Sequence, residues 1–297
     1  MTYKGGGEKM GNKLDLAKRL LRTKHWVKNM VIFAPMVFAK KAFDSGSVAK
    51  VVVAALLFCM LTSCMYILND IEDITKDVSH PVNRLRPIAS GEVSKKNALL
   101  VVAVLLPISV MLGICLEINF GIVMIAYFIN SYLYSRFLRN MVIIDVMSIA
   151  IGFVLRVIGG AEVIGVYVSP WVVICTLFLA LFLGFSKRRN EILMLGVDEV
   201  KFRGNSEEYT VEFIDSAISV VVSTMLIAYS MYTFFSQNDV YIMTATVPLV
   251  IYGIFRYQYL VHRKNGGVSP EETFLSDKTL LVVVAIWILM VMLAIYF

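Results

Sequence analysis

Long apolar runs separated by short charged connections organise this chain from residue 26 to its end. A helix needs about 20 mostly apolar residues to cross a hydrocarbon layer. Runs of that order fall at 26 to 43, 48 to 68, 97 to 116, 119 to 135, 141 to 163, 168 to 186, 213 to 236, 240 to 262 and 278 to 297. The pattern predicts an all-α, polytopic membrane fold of nine transmembrane helices. The first run opens with Trp26, Lys28 and Asn29 and carries Pro35, and the fifth is expected to be broken at Gly152 and at the Gly159-Gly160 pair. Ahead of the runs, Leu14, Ala17, Leu20 and Leu21 share one helical face and Lys18, Arg19 and Arg22 lie elsewhere, the pattern of a helix lying on a membrane surface. The domain plan is a basic tail, 1 to 25, and one membrane domain, 26 to 297, whose polar loops run from about 69 to 96 and from 187 to 212.

Composition agrees. Of 297 residues, 58% are hydrophobic and 17% charged, whereas soluble domains carry charge on about a quarter, so a soluble enzyme is excluded. Of the 28 Lys and Arg, 24 fall on the side of the N-terminus, only Lys40, Lys41 and Lys50 on the other, and Arg156 lies inside a run. That bias predicts a cytoplasmic N-terminus and an outside C-terminus. No apolar leader precedes residue 24, which agrees with this orientation. The net charge of +6 suggests anionic lipid or phosphate and gives nucleic acid no weight. Cys59, Cys64, Cys115 and Cys175 sit in apolar runs without a C-x-x-C pair and are expected to be buried packing residues.

Chemistry gathers where the second run ends. In Asn69-Asp70-Ile71-Glu72-Asp73-Ile74-Thr75-Lys76-Asp77, spacings of three and seven put Asp70, Asp73 and Asp77 on one helical face if the helix continues, with Glu72 facing away. Like charges on one stripe repel, so a cation is the natural partner, and oxygen ligands without Cys or His favour Mg²⁺, which takes one or two carboxylates plus substrate phosphates. Arg84 and Arg86 follow in the same loop, and Arg suits bidentate phosphate contact. Lys28 and Asn29, Tyr134, Arg136 and Arg139, and Lys187, Arg188, Arg189 and Glu191 end or begin runs on the same side. Arg136 reads as an orientation anchor; Glu191 can tie Lys187 and Arg188 into a fixed group. Arg156, deep in the fifth run, needs a partner or a wet cavity, and Asp145, about 20° round the same helix, is expected to line the same wall.

Together these residues resemble the UbiA superfamily of intramembrane prenyltransferases, on the Asn69-Asp70-x-x-Asp73-x-x-x-Asp77 motif, nine spans and a polar motif after the sixth. Where the superfamily usually has a second acidic motif, this chain reads Ser186-Lys187-Arg188-Arg189-Asn190-Glu191, one acid among three bases, which implies a substrate richer in phosphate. With Trp26-Val-Lys28-Asn29, Asn83-Arg84-Leu-Arg86-Pro87-Ile, Tyr134-Ser-x-x-Leu-Arg139, Asp145, Arg156 and Ile254-Phe-Arg256-Tyr257, the chain from about residue 18 resembles the superfamily's polyprenyl-phosphate phosphoribosyltransferase branch, although Lys is expected there in place of Arg139.

The resemblance implies Mg²⁺-dependent transfer of 5-phosphoribosyl from 5-phosphoribosyl diphosphate to a decaprenyl-like polyprenyl phosphate, at the cytoplasmic face of the cell membrane, for cell-envelope biosynthesis. Asp70, Asp73 and Asp77 would hold metal and, with Asn69, diphosphate; Arg84 and Arg86 would clamp the leaving group, and Lys187, Arg188 and Arg189 with Glu191 the donor phosphate. Lys28, Asn29, Tyr66, Tyr134, Arg139 and Arg156 complete the expected substrate contacts. Asp73, Asp77 and Asp145 are candidates to support the reacting centre, where displacement passes through oxocarbenium character. An anionic acceptor needs no general base, which fits the lack of a Ser/His or Cys/His set. A homo-oligomer stays open, as do two rivals: an aromatic or quinone prenyltransferase, and a transporter of anionic metabolites.

Overall fold

Each apolar run after the first becomes a long helical element. The computed structural model describes residues 5 to 80, 82 to 199, 209 to 235, 239 to 263 and 270 to 297; residues 200 to 208 of the expected polar loop lie outside the described residues. The helices are α1 Gly5–Leu20, α2 Ala34–Phe38, α3 Ser45–Glu72, α4 Ile74–Ser79, α5 Lys95–Leu116, α6 Ile118–Arg136, α7 Ile144–Glu162, α8 Pro170–Glu199, α9 Val211–Phe235, α10 Val240–Ala245, α11 Val247–Arg263, α12 Pro270–Ser276 and α13 Lys278–Tyr296. Among the described residues eight stretches are long and apolar enough to cross a membrane: α3, α5, α6, α7, α8 to Leu193, α9, the α10–α11 pair and α13. Side-chain caps fix several starts, where Asp44, Ser94 and Asp277 accept from the amides of Ser47, Asn97 and Leu280.

The first run departs from expectation. It is not one α-helix but a 3₁₀ segment, Thr23–Phe33, followed by the short α2 with Pro35 in its first turn. Contacts from other elements hold it in that form. Asn29 is 1% exposed and bonded to Thr62 and Cys59 of α3, and a Cβ placed on Gly160 of α7 would lie 2.0 Å from the Ile32 carbonyl oxygen, so only glycine there lets this backbone approach. The segment still runs from one end of the bundle to the other: Arg22, just before it, pairs with Asp70, while Tyr296 near the C-terminus donates to the Val37 carbonyl and accepts from the Ala42 amide. Nor is α7 broken; it continues through Gly152, Gly159 and Gly160, whose missing side chains admit neighbours.

Burial sets the layers. Two-thirds of the apolar window of α3 (67%) is buried, against 17% for α5, so α3 is an inner helix and its acidic end emerges among its neighbours. One core forms around Phe58, Phe120 and Tyr127 of α3 and α6, with Ile32 and Met36. A second joins Val146, Phe182, Ile214, Ile218, Met225, Ile254 and Leu280 from α7, α8, α9, α11 and α13. Leu20 closes a third with Cys64, Ile67 and Ile88, which seats the end of α1, while Leu14 stays exposed. Cys59 and Cys64 are buried as expected; Cys115 is exposed.

Candidate active site

At the end of α3 the helix relaxes for one residue at Asp73 and resumes as α4, and the amides of Asp73 and Asp77 still bond to the carbonyls of Asn69 and Asp73 at 2.9 and 2.8 Å. The stripe therefore survives in its backbone, but its three carboxylates take different partners. Asp70 and Asp77, 4% and 3% exposed, converge on Arg86, whose Nη1 donates to them at 3.2 and 2.6 Å. Asp73 instead receives both terminal nitrogens of Arg139 at 2.8 Å each. Burial pushes the Asp73 carboxyl up, but the Arg139 bonds outweigh it and leave the carboxyl below its ordinary value. The bond to Asp73, followed by opposing burial, raises Arg139 in turn, with a further contribution from Tyr134.

Arg22 completes this group. It sits in the left-handed region at φ 50°, which bends the chain out of α1 and brings its guanidinium to Asp70 and 5.1 Å from the centre of the Tyr66 ring. Arg86 lies against the carboxylates, while Arg84 is exposed on the 3₁₀ turn Asn83–Leu85. Glu72 points outward and pairs with Arg136 at 2.8 Å. Lys28 and Asn69 are half-buried.

A second group lies where α7 meets α8. A Cβ on Gly184 would fall 2.6 Å from Val146, and this close approach brings Asp145, which is fully buried, against Arg188. Arg188 donates from Nε to Asp145 at 2.7 Å, from Nη1 to Glu191 at 2.6 Å and from Nη2 to the Tyr134 hydroxyl at 3.2 Å. Tyr209 donates to the other Asp145 oxygen at 2.7 Å. Lys187 lies 3.9 Å from Glu191, and Arg189 donates to Asp215 of α9 at 2.6 Å. Tyr134, five residues before Arg139 in the chain, is thereby bonded to the Arg188 group.

Asp145 and Arg156, expected to line one wall, take no partner in common among the described residues. Eleven residues of helix separate them by about 16 Å along the axis, and each has its own partners. Arg156, 5% exposed, donates to Asn29 Oδ1 at 2.6 Å, the Gly152 carbonyl at 2.7 Å and the Tyr127 hydroxyl at 2.9 Å, with Phe58, Tyr127 and Phe153 around its guanidinium. Arg22, which the sequence places on the surface helix, and Tyr209 and Asp215, which no motif contains, also join these groups; their partners lie 48, 64 and 26 residues away, beyond any local spacing rule.

Among the described residues no three His, Cys, Asp or Glu side chains form a metal cage. The donor set still suits Mg²⁺: two buried carboxylates converge on one guanidinium nitrogen with no Cys or His beside them, and this ion uses one or two carboxylates while phosphates and water fill the remaining positions. An open cavity of about 470 Å³ on α11, lined by Pro248, Ile251, Tyr252, Phe255, Arg256 and Tyr259, includes none of these groups.

Comparison with known proteins extends the picture. The UbiA prenyltransferase family matches residues 30–276. A decaprenyl-phosphate phosphoribosyltransferase of Corynebacterium glutamicum is 30% identical over 96% of this chain and 88% of its own, and one of Mycolicibacterium smegmatis is 29% identical over 94% and 92%. A UbiA homolog from Archaeoglobus fulgidus bound to DMAPP and Mg²⁺ superposes with a TM-score of 0.73 at 18% identity, covering 94% of this chain and 98% of that one. The chain is a multi-pass membrane enzyme that belongs to the UbiA prenyltransferase family.

Proposed function

We propose that this protein transfers the 5-phosphoribosyl group of 5-phosphoribosyl diphosphate to a polyprenyl phosphate, releasing diphosphate, with Mg²⁺, at the cytoplasmic face of the cell membrane. The observation that carries the reading is the pair of arginine–carboxylate groups, one of Arg22, Arg86 and Arg139 with the three aspartates and one around Arg188, which Tyr134 contacts. A donor with a diphosphate at one end and a phosphate at the other has two anionic ends to hold. Prenyl diphosphates have one. The relatives named decaprenyl-phosphate phosphoribosyltransferase support the same choice.

Asp70 and Asp77 would hold Mg²⁺ beside Asn69, and bound metal would neutralise charge growing on the diphosphate. Asp73 orients Arg139, and Arg22, Arg86 and Arg139 meet leaving-group oxygens as bidentate donors. Arg188, Arg189 and Lys187 hold the 5-phosphate. An acceptor phosphate oxygen bonds to the anomeric carbon as the bond to diphosphate breaks, and diphosphate leaves with the electron pair. The acceptor is already an anion, so positioning and neutralised charge do the work. Asn29 and Arg156 act on this site through the wall they build.

The test is turnover by purified protein in detergent with labelled 5-phosphoribosyl diphosphate, Mg²⁺ and a panel of polyprenyl phosphates, beside Asp73→Ala and an EDTA control. The expected result is a labelled lipid that requires Mg²⁺ and falls by at least about 100-fold in the variant, the scale of a lost charge-stabilising contact. Consumption of a prenyl diphosphate with an aromatic acid, without labelled lipid, would replace this reading by the aromatic prenyltransferase.

A further inference from the structure

Tyr209 stands in the Arg188 group although no motif contains it. It is the residue two before α9, 4% exposed, and its hydroxyl is used twice: it accepts from the Ile143 amide at 2.6 Å and donates to Asp145 Oδ1 at 2.7 Å. The backbone it touches is unusual. Ile143 has φ 69° and ψ −48°, and the Ile144 amide bonds back to the Val142 carbonyl at 2.8 Å, which makes a three-residue turn of the positive-φ kind. A β-branched residue disfavours that region, and such conformations persist only where the surroundings over-determine them. Tyr209 is part of those surroundings, since one oxygen fixes both the strained residue's amide and the carboxylate two residues later.

The consequence runs through Asp145. Its Oδ2 takes Arg188 Nε, while Glu191 and Tyr134 take one donor from each terminal nitrogen. A guanidinium has five N–H donors, so two are left over among the described residues. Burial, followed by the bond to Asp145, pushes the Tyr209 hydroxyl above its ordinary value, so it remains a proton donor throughout the neutral range.

We propose that Tyr209 is a positioning residue for donor binding: it locks Asp145 onto Arg188 so that the two spare guanidinium N–H groups are presented to the sugar phosphate of the donor. This rests on the reading that Arg188 holds that phosphate. Tyr209→Phe removes the hydroxyl and keeps the ring beside Phe213, 6.0 Å away between centroids.

Full-length wild type and Tyr209→Phe are compared in detergent by initial rates with each substrate varied, by calorimetric binding of ribose 5-phosphate, and by thermal melting. The variant should raise KM for 5-phosphoribosyl diphosphate and weaken ribose 5-phosphate by about tenfold each, the effect of losing one hydrogen bond to a charged group. KM for the polyprenyl phosphate and kcat should hold. Unchanged donor KM and unchanged ribose 5-phosphate affinity overturn the proposal, as does a melting shift with no change in either. If wild type shows no turnover but binds ribose 5-phosphate, and the variant binds it more weakly, the positioning role stands and the reaction assigned above falls. If wild type turns over but does not bind ribose 5-phosphate, the positioning role falls and the reaction stands; if it neither turns over nor binds, both fall.

Discussion

Asp73 shows how a buried carboxylate is kept charged. Burial alone would favour its protonated form, but two parallel bonds from Arg139 at 2.8 Å reverse the balance, so its folded pKa lies below the unfolded one. A lowered carboxyl contributes stability that is fully present above the unfolded value near 4 and is lost as pH falls through the folded value. The melting difference between wild type and Asp73→Asn should therefore stay constant from pH 8 to about 5 and shrink below about 4. A gap that widens on acidification would contradict this pairing. Arg156 poses the opposite problem, a buried cation whose acceptors among the described residues are an amide, a carbonyl and a phenol. Asn29→Ala strands its Nε donor and should lower stability by about 1–3 kcal/mol. Melting curves and donor kinetics on the same preparation separate the two roles, because a wall residue lowers the melting temperature and leaves donor KM alone.

At the scale of elements, what the sequence made legible was length and apolar continuity. Each later run became a long helical element within a few residues of its expected bounds except the sixth, where α8 continues to Glu199 through the expected start of the polar loop, because hydrophobic run length is a local property. The first run escaped because its form is imposed by distant partners, Thr62 and Arg156 on Asn29 and the Gly160 face on Ile32. The site divides the same way. Carboxylate spacing was readable at i, i+3 and i+7, but the assignment of Arg139 to Asp73 and Arg86 to Asp70 and Asp77 depends on packing. Glycine substitutions measure that packing. Alanine ordinarily favours a helix over glycine by about 0.5–1 kcal/mol. Gly253→Ala, whose Cβ would meet nothing nearer than 3.9 Å, should be neutral or stabilising. Gly160→Ala drives a methyl to 2.0 Å from backbone oxygen, and overpacking of about 1–3 kcal/mol should outweigh the helical gain. Equal melting temperatures for the two variants would remove the Gly160 contact from the account of the 3₁₀ segment.

For the whole molecule the same segment decides topology. Eight long apolar elements alone would return the two termini to one side. Thr23–Phe38, however, connects the end holding Asp70 to the end holding Tyr296. Eleven 3₁₀ residues at about 2.0 Å and five α-residues at about 1.5 Å reach about 30 Å, the thickness of the hydrocarbon core. Its polar groups need not face lipid, since Asn29 is sealed against α3 and Arg156. A ninth crossing is then expected, and with 24 of 28 basic residues on one side it predicts a cytoplasmic N-terminus and an outside C-terminus. A cysteine-free protein with one cysteine introduced at Lys13 or at Phe297 tests this with a membrane-impermeant maleimide. Phe297→Cys should react in intact cells and Lys13→Cys only after permeabilisation. Labelling of neither in intact cells would make Thr23–Phe38 a re-entrant element that enters and leaves by the charged face, and both termini would then be cytoplasmic.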